Sequence, residues 1–148
     1  MTLPPLPQSA IVIAAQAADW RAAVTLAGDA LARSGAARPG YSAEMIRMIE
    51  EHGPYVVIAP GLALAHARPG PRALARGMAV VTLAEPVKFG HPHHDPVRVV
   101  VGLTSTSPEE HLATVAAVAN VFNDEGLVER LAAAQDIAEV REILGLTD

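Results

Sequence analysis

The chain has 148 residues, 51% of them hydrophobic, and a formal net charge of −5. That length and apolar content suit one compact domain with a sizeable core, and the acidic balance with scattered basic residues argues against a nucleic-acid surface. Cysteine is absent, which excludes disulfides, thiolate metal sites and a cysteine nucleophile within this polypeptide.

Aromatic residues make up only 3% of the chain, so the core is expected to be built from Ala, Val, Leu and Ile. No apolar run approaches the roughly 18 residues needed to span a bilayer. The N-terminus, MTLPPLPQ, has no basic segment leading into a hydrophobic one, so neither a signal peptide nor export is expected and the chain is read as cytoplasmic.

Residues 1–8 carry three prolines and are expected to form a flexible lead-in, leaving 9–148 as the domain. Ile11 to Ala15 is a short apolar run, predicted as a strand. Asp19 caps a predicted helix through about Arg33, with Trp20, Val24, Ala27 and Leu31 on one face and Gly35 as its stop. Ser42 is the expected cap of a second helix that buries Met45, Ile46 and Ile49 and ends near His52-Gly53.

A β-branched run follows, then a Pro60-Gly61 turn, a second apolar run and a Pro/Gly/Arg-rich turn from Pro69 to Gly77. Met78 to Leu83 reads as a buried strand and Glu85 to Pro96 as a polar loop. Val97 to Thr104 is a near-continuous apolar run, the pattern of a strand covered on both faces. Ser107-Pro108-Glu109-Glu110 combines a cap, a first-turn proline and a glutamate three residues after the serine, and starts a helix reaching about Phe122. Asp124 and Asp136 open two further amphipathic segments. Strands alternating with helices predict an α/β single domain, a mixed sheet of about five strands flanked by helices on both faces.

The chemistry concentrates in Gly53 to Pro69, GPYVVIAPGLALAHARP. In an extended conformation Leu62, Leu64 and His66 share one face, and Ala63, Ala65 and Ala67 share the other. A titratable imidazole thus ends a core-facing stripe, bordered by alanines too small to cover it. From the residues alone it is either a strand-end histidine satisfied by a backbone carbonyl or one that a partner protein can reach.

PGLALAHARP, preceded by MIEEHGPYVV and followed by DPVRVVVGL and SPEEHL, resembles the enzyme IIA domains of the bacterial phosphotransferase system. The likeness is to the mannitol/fructose-type fold family and, within it, the ascorbate-like branch, and it covers roughly Ile11 to Leu146. It implies that His66 accepts a phosphoryl group from the histidine phosphocarrier protein and passes it to a cysteine of enzyme IIB. In a chain without cysteine that enzyme IIB must be a separate polypeptide. A membrane permease, enzyme IIC, is the indirect partner; no cofactor is implied, and a homodimer is compatible with the family. A regulatory protein of the same fold, of the nitrogen-related type, is the alternative.

The resemblance assigns the second histidine to His111. Its spacing aligns it with Val115, Val118 and Phe122, so it is expected to face inward in the first turn of a helix whose N-terminus favours an anion. Arg68, Thr104 and Ser105 are weaker candidates for the phosphate environment, since surface, capping and turn duties explain them as well. One position departs from the mannitol- and fructose-type members, which carry an arginine in the helix before the active strand. Met48 stands there, with Arg47 one residue off and on another face, which agrees with the ascorbate-like pattern.

His91, His93, His94 and Asp95 form a second cluster. Imidazoles at this density can bind Zn²⁺ or Ni²⁺, which makes a small metal-binding protein the other alternative. Pro92 and the want of a ligand on rigid structure argue instead for a solvated loop near the active face.

Overall fold

The computed structural model describes residues 3–124 and 126–146. Five strands, β1 (Ile11–Ala15), β2 (Val57–Ala59), β3 (Leu62–His66), β4 (Gly77–Val87) and β5 (Val97–Thr104), form one mixed sheet in the order β1-β4-β5-β3-β2. The helices are α1 (Trp20–Arg33), α2 (Tyr41–His52), α3 (Pro108–Val121), α4 (Leu127–Ala132) and α5 (Ile137–Ile143). α1 lies across β4 and β5, α2 rests on α1, α4 packs on β4 and β5, and α5 on β1. This is the expected α/β class, a five-stranded mixed sheet flanked by helices.

Leu62 to Ala65 and Val99 to Val101 are fully buried, the continuous burial that their unbroken apolar runs demand. With few aromatic residues to fill space, the layers close by small residues instead. A Cβ on Gly102 would stand 3.1 Å from Leu31 Cδ1 and 3.3 Å from the Ala27 Cβ, so α1 presses directly onto β5.

Three local expectations change. The second helix begins at Tyr41 after Gly40, whose φ of 95° needs glycine, so Ser42 is inside the helix and buried rather than its cap. β4 runs on through Glu85 and Pro86 to Val87, which pairs with Val97, so the following loop is shorter than the sequence predicts. Leu3 to Pro7, read as a loose lead-in, lies against the sheet: Leu6 is buried and Pro5 accepts the Met78 amide.

The sheet has two unlike ends. β3 and β5 run parallel, from Leu62↔Val99 to His66↔Leu103, and β4 is antiparallel to β5, with Gly77 opposite Thr104. His66, Thr104 and the start of β4 therefore share one end, and the loop after β4 sits at the other. β1, an edge strand, pairs with β4 through Ile11 and Val12 and then bulges at Ala14 (φ 52°), whose amide donates to the buried Thr82 hydroxyl. Among the described residues no helix is long and apolar enough to cross a membrane.

α1 and α2 touch where Gly28 faces Ser42: an added Cβ would lie 2.1 Å from Ser42 Oγ and 2.8 Å from its Cα. Because a backbone atom is among the obstacles, Gly28→Ala forces the helices apart. The expected cost is about 1–3 kcal/mol, read as a lower urea midpoint at unchanged slope.

Candidate active site

Asp19 and Ser107 cap α1 and α3 as the sequence predicts, their side chains accepting the amides of Ala22 and Glu110. The Ser107 cap fixes where α3 starts and thereby where His111, one turn in, projects. Val118 and Phe122 along its stripe are buried. His111 meets His66 ring to ring, with centroids 5.0 Å apart and planes tilted by 47°. Two imidazoles 45 positions apart in the chain are thus brought together where β3 ends and α3 begins.

The Leu64 carbonyl lies 2.8 Å from His66 Nδ1. A carbonyl oxygen only accepts, so Nδ1 carries the hydrogen and, in the neutral ring, Nε2 holds the bare lone pair. Burial drives the His66 pKa below its ordinary 6.5, the Leu64 carbonyl opposes that shift, and His111 adds to it. His111 is likewise lowered by burial. Both rings are accordingly neutral at neutral pH.

Of the chain's two tyrosines, Tyr55 touches the His66 ring and Tyr41 bonds the backbone beside it, and no sequence motif assigns either a role. Tyr55 packs edge to face on His66, with centroids 5.5 Å apart at 89°, and its other neighbour is His52 at 6.3 Å. Burial raises the Tyr55 pKa, against the pull of the Arg68 charge. Tyr41 is 1% exposed; its hydroxyl donates to the Leu103 carbonyl (2.9 Å) and accepts the Ala67 amide (3.2 Å). Burial, first among the causes, pushes its pKa up to about 12. The scarcity of aromatic residues was the available signal: in so alanine-rich a chain, each tyrosine needs a reason.

The lesser candidates fall differently. Arg68 is exposed beside Tyr55. Thr104 donates its hydroxyl to the Ala75 carbonyl at 2.8 Å, tying β5 to the segment before β4. Ser105 is 2% exposed and its Oγ has no hydrogen-bond partner among the described residues. The α3 N-terminus already carries its own carboxylates: Glu110 accepts the Thr106 amide, and Glu109 stands beside it. Its pull on an external anion is weaker than the capping sequence alone implies.

The His91–His94 loop is not near this site. Gly61, at the start of β3, donates its amide to the His94 carbonyl, which puts the loop at the far end of the sheet, opposite His66. Asp95 is committed to the loop itself, accepting the amides of Phe89, Gly90 and His91. His91 Nδ1 accepts the amides of His93 and His94, and its ring stacks on His94 at 4.6 Å. Among the described residues no group of three or more His, Asp or Glu side chains is arranged to hold a metal ion.

Residues 5–145 match the family described as phosphoenolpyruvate-dependent sugar phosphotransferase system, EIIA 2. The chain belongs to this family. Its relatives include the ascorbate-specific EIIA component of Shigella flexneri, 33% identical over 93% of this chain and 90% of that one. Among solved EIIA structures, a PTS IIA domain from Streptococcus pyogenes superposes with a TM-score of 0.84 at 31% identity, covering 93% of this chain and 90% of that one. The mannitol IIA of Escherichia coli, solved in complex with phosphorylated mannitol IIB, reaches the same TM-score at 26% identity, covering 95% and 97% of the two chains.

The depressed His pKa values set a pH dependence with a definite sign. Between the lowered native values and 6.5 the unfolded chain binds protons that the native one refuses, so stability falls on acidification through that window and is level above it. Imidazole NMR titration is expected to place both midpoints below 6.5, and His111→Ala to move the His66 midpoint upward by removing its neighbour. A His66 midpoint at or above 6.5 would contradict this electrostatic account.

Proposed function

We propose that this EIIA family member is a cytoplasmic phosphoryl carrier, taking phosphate on His66 from the histidine phosphocarrier protein and passing it to a cysteine of a separate enzyme IIB. The permease served, an enzyme IIC, would then handle an ascorbate-like substrate. One observation carries the reading: the Leu64 carbonyl holds the Nδ1 hydrogen of His66, leaving Nε2 as the nucleophile beside His111. The ascorbate-specific relative supports the choice of branch.

The transfer follows from that tautomer. The Nε2 lone pair forms the new N–P bond as the donor's phosphorus–nitrogen bond breaks, and the donor imidazole keeps the electron pair. Nδ1 retains its hydrogen throughout, so the phosphorylated ring is a cation bonded to Leu64. When the thiolate of enzyme IIB attacks phosphorus, the N–P electrons return to Nε2 and the neutral imidazole is restored. A cationic ring is the better leaving group, and the carbonyl bond keeps it so. His111 donates a hydrogen bond to a phosphoryl oxygen in transit, while Arg68 and Ser105 are the remaining candidates to face the phosphate; Thr104 positions β5 from behind. Leu112, 73% exposed next to His111, and half-exposed Tyr55 give the partner an apolar rim to cover.

Incubation with the upstream relay and phosphoenolpyruvate, followed by intact-mass analysis at neutral pH, is expected to show one acid-labile phosphoryl group. His66→Ala and His66→Gln should both lose it while staying folded, since an amide offers no nucleophilic lone pair. A phosphate adduct formed on the His66→Ala protein at the wild-type rate would overturn the reading. His111→Ala should slow transfer roughly ten- to a hundred-fold, the loss of one charge-assisted hydrogen bond worth about 1.5–3 kcal/mol. Simultaneous His91, His93 and His94 to alanine should leave acceptance within a few-fold of wild type, because that loop lies at the other end of the sheet.

A further inference from the structure

The backbone pattern around His66 has a rung that the sheet does not make for itself. Leu64 donates its amide to Val56, on the β2 side of β3. Successive amides alternate sides along a strand, so those of Ala63, Ala65 and Ala67 face β5. In the parallel register, with His66 opposite Leu103, the acceptor in line for the Ala67 amide is the Leu103 carbonyl. Both groups bond instead to the Tyr41 hydroxyl, at 3.2 and 2.9 Å. The phenol oxygen stands between them as an inserted link, and β3 ends at His66.

We propose that Tyr41 is a positioning residue for His66: its hydroxyl occupies the rung between Ala67 and Leu103, sets how far β3 parts from β5, and so holds the His66 imidazole opposite His111. The chemistry of the group suits the task. A buried hydroxyl with its hydrogen given to a carbonyl and a lone pair taken by an amide has one orientation only. It is carried by the first residue of α2, seated against the end of both strands, so the spacing is set by a rigid element rather than by a loop. His66 is clamped on both sides: Leu64 fixes the ring, and Tyr41 fixes the backbone one residue on. A phosphoryl acceptor that must meet its donor in line gains from that restraint.

This inference rests on His66 as the phosphoryl acceptor, and the test separates the two. Tyr41→Phe keeps the ring and removes only the link. Imidazole NMR on the variant is expected to show the His66 midpoint rising toward 6.5 and its response to His111→Ala altered, with phosphoryl acceptance slowed about three- to ten-fold. Val140→Ala, which opens a cavity where α5 packs on β1, two strands away from β5 and three from β3, serves as the stability control and should leave both readouts unchanged. A Tyr41→Phe protein that melts lower yet titrates and transfers like wild type reduces Tyr41 to a packing residue and overturns the proposal. If the wild-type protein accepts no phosphate, the acceptor reading fails, and the His66 titration still decides the clamp. Should Tyr41→Phe fail to fold, the wild-type protein answers: a slowly exchanging Tyr41 hydroxyl proton close to a protected Ala67 amide supports the link, and rapid exchange of both refutes it.

Discussion

Five residues of β3, Leu62 to His66, lie in parallel register with Val99 to Leu103 of β5, and both strands are walled in by side chains along nearly their whole length. That pairing is the constraint on which the site depends. It brings a strand-end imidazole to the point where β5 turns through Thr106 into the Ser107 cap, and α3 then delivers His111 from the other side. Parallel strands carry their functional groups at the same end by geometry, since each chain leaves the sheet there. Here the exit of one strand supplies one imidazole, and the helix after the other supplies its neighbour.

The electrostatics follow from the same burial. Removing two imidazoles from water and setting them 5.0 Å apart disfavours the charged form of each, and the Leu64 carbonyl recovers part of the loss for His66 alone. The ring is thereby neutral and oriented before any partner arrives. Tyr55 covers a further side of it, and Leu112, which follows His111 in the chain, is exposed. The ring thus has the Leu64 carbonyl on Nδ1 and the Tyr55 and His111 rings beside it.

What the sequence reveals and what it hides divide along chain distance. The Asp19 and Ser107 caps, the Pro60-Gly61 turn and the end of α2 at Gly53 are local patterns, and they are legible because the residues involved are neighbours. His66 and His111 could be singled out, yet their contact required the register of β3 and β5. The Tyr41 link joins residues 62 apart, and no local rule points to it. Ser42 misled because a serine at a helix start usually caps it, whereas burial of Tyr41 moved the start two residues back. Glu85 and Pro86 disguised the tail of β4, which is held by Val87 opposite Val97. The histidine loop lies at the end of the sheet opposite His66, not near the active face as expected, because adjacency of motifs in sequence says nothing about which way a strand carries the chain.

The bulge at Ala14 has a consequence for how the molecule behaves in a crowded solution. β1 is an edge strand of sequence IVIAA, the kind of exposed apolar template onto which a stray strand from another chain can add. With Ala14 turned to φ 52° and its amide bonded inward to Thr82, the row of free hydrogen-bonding groups on that edge is interrupted after three residues. An incoming strand finds too short a ledge to grip. The left-handed alanine thus breaks the regular ladder of this edge strand, a feature that disfavours edge-to-edge pairing.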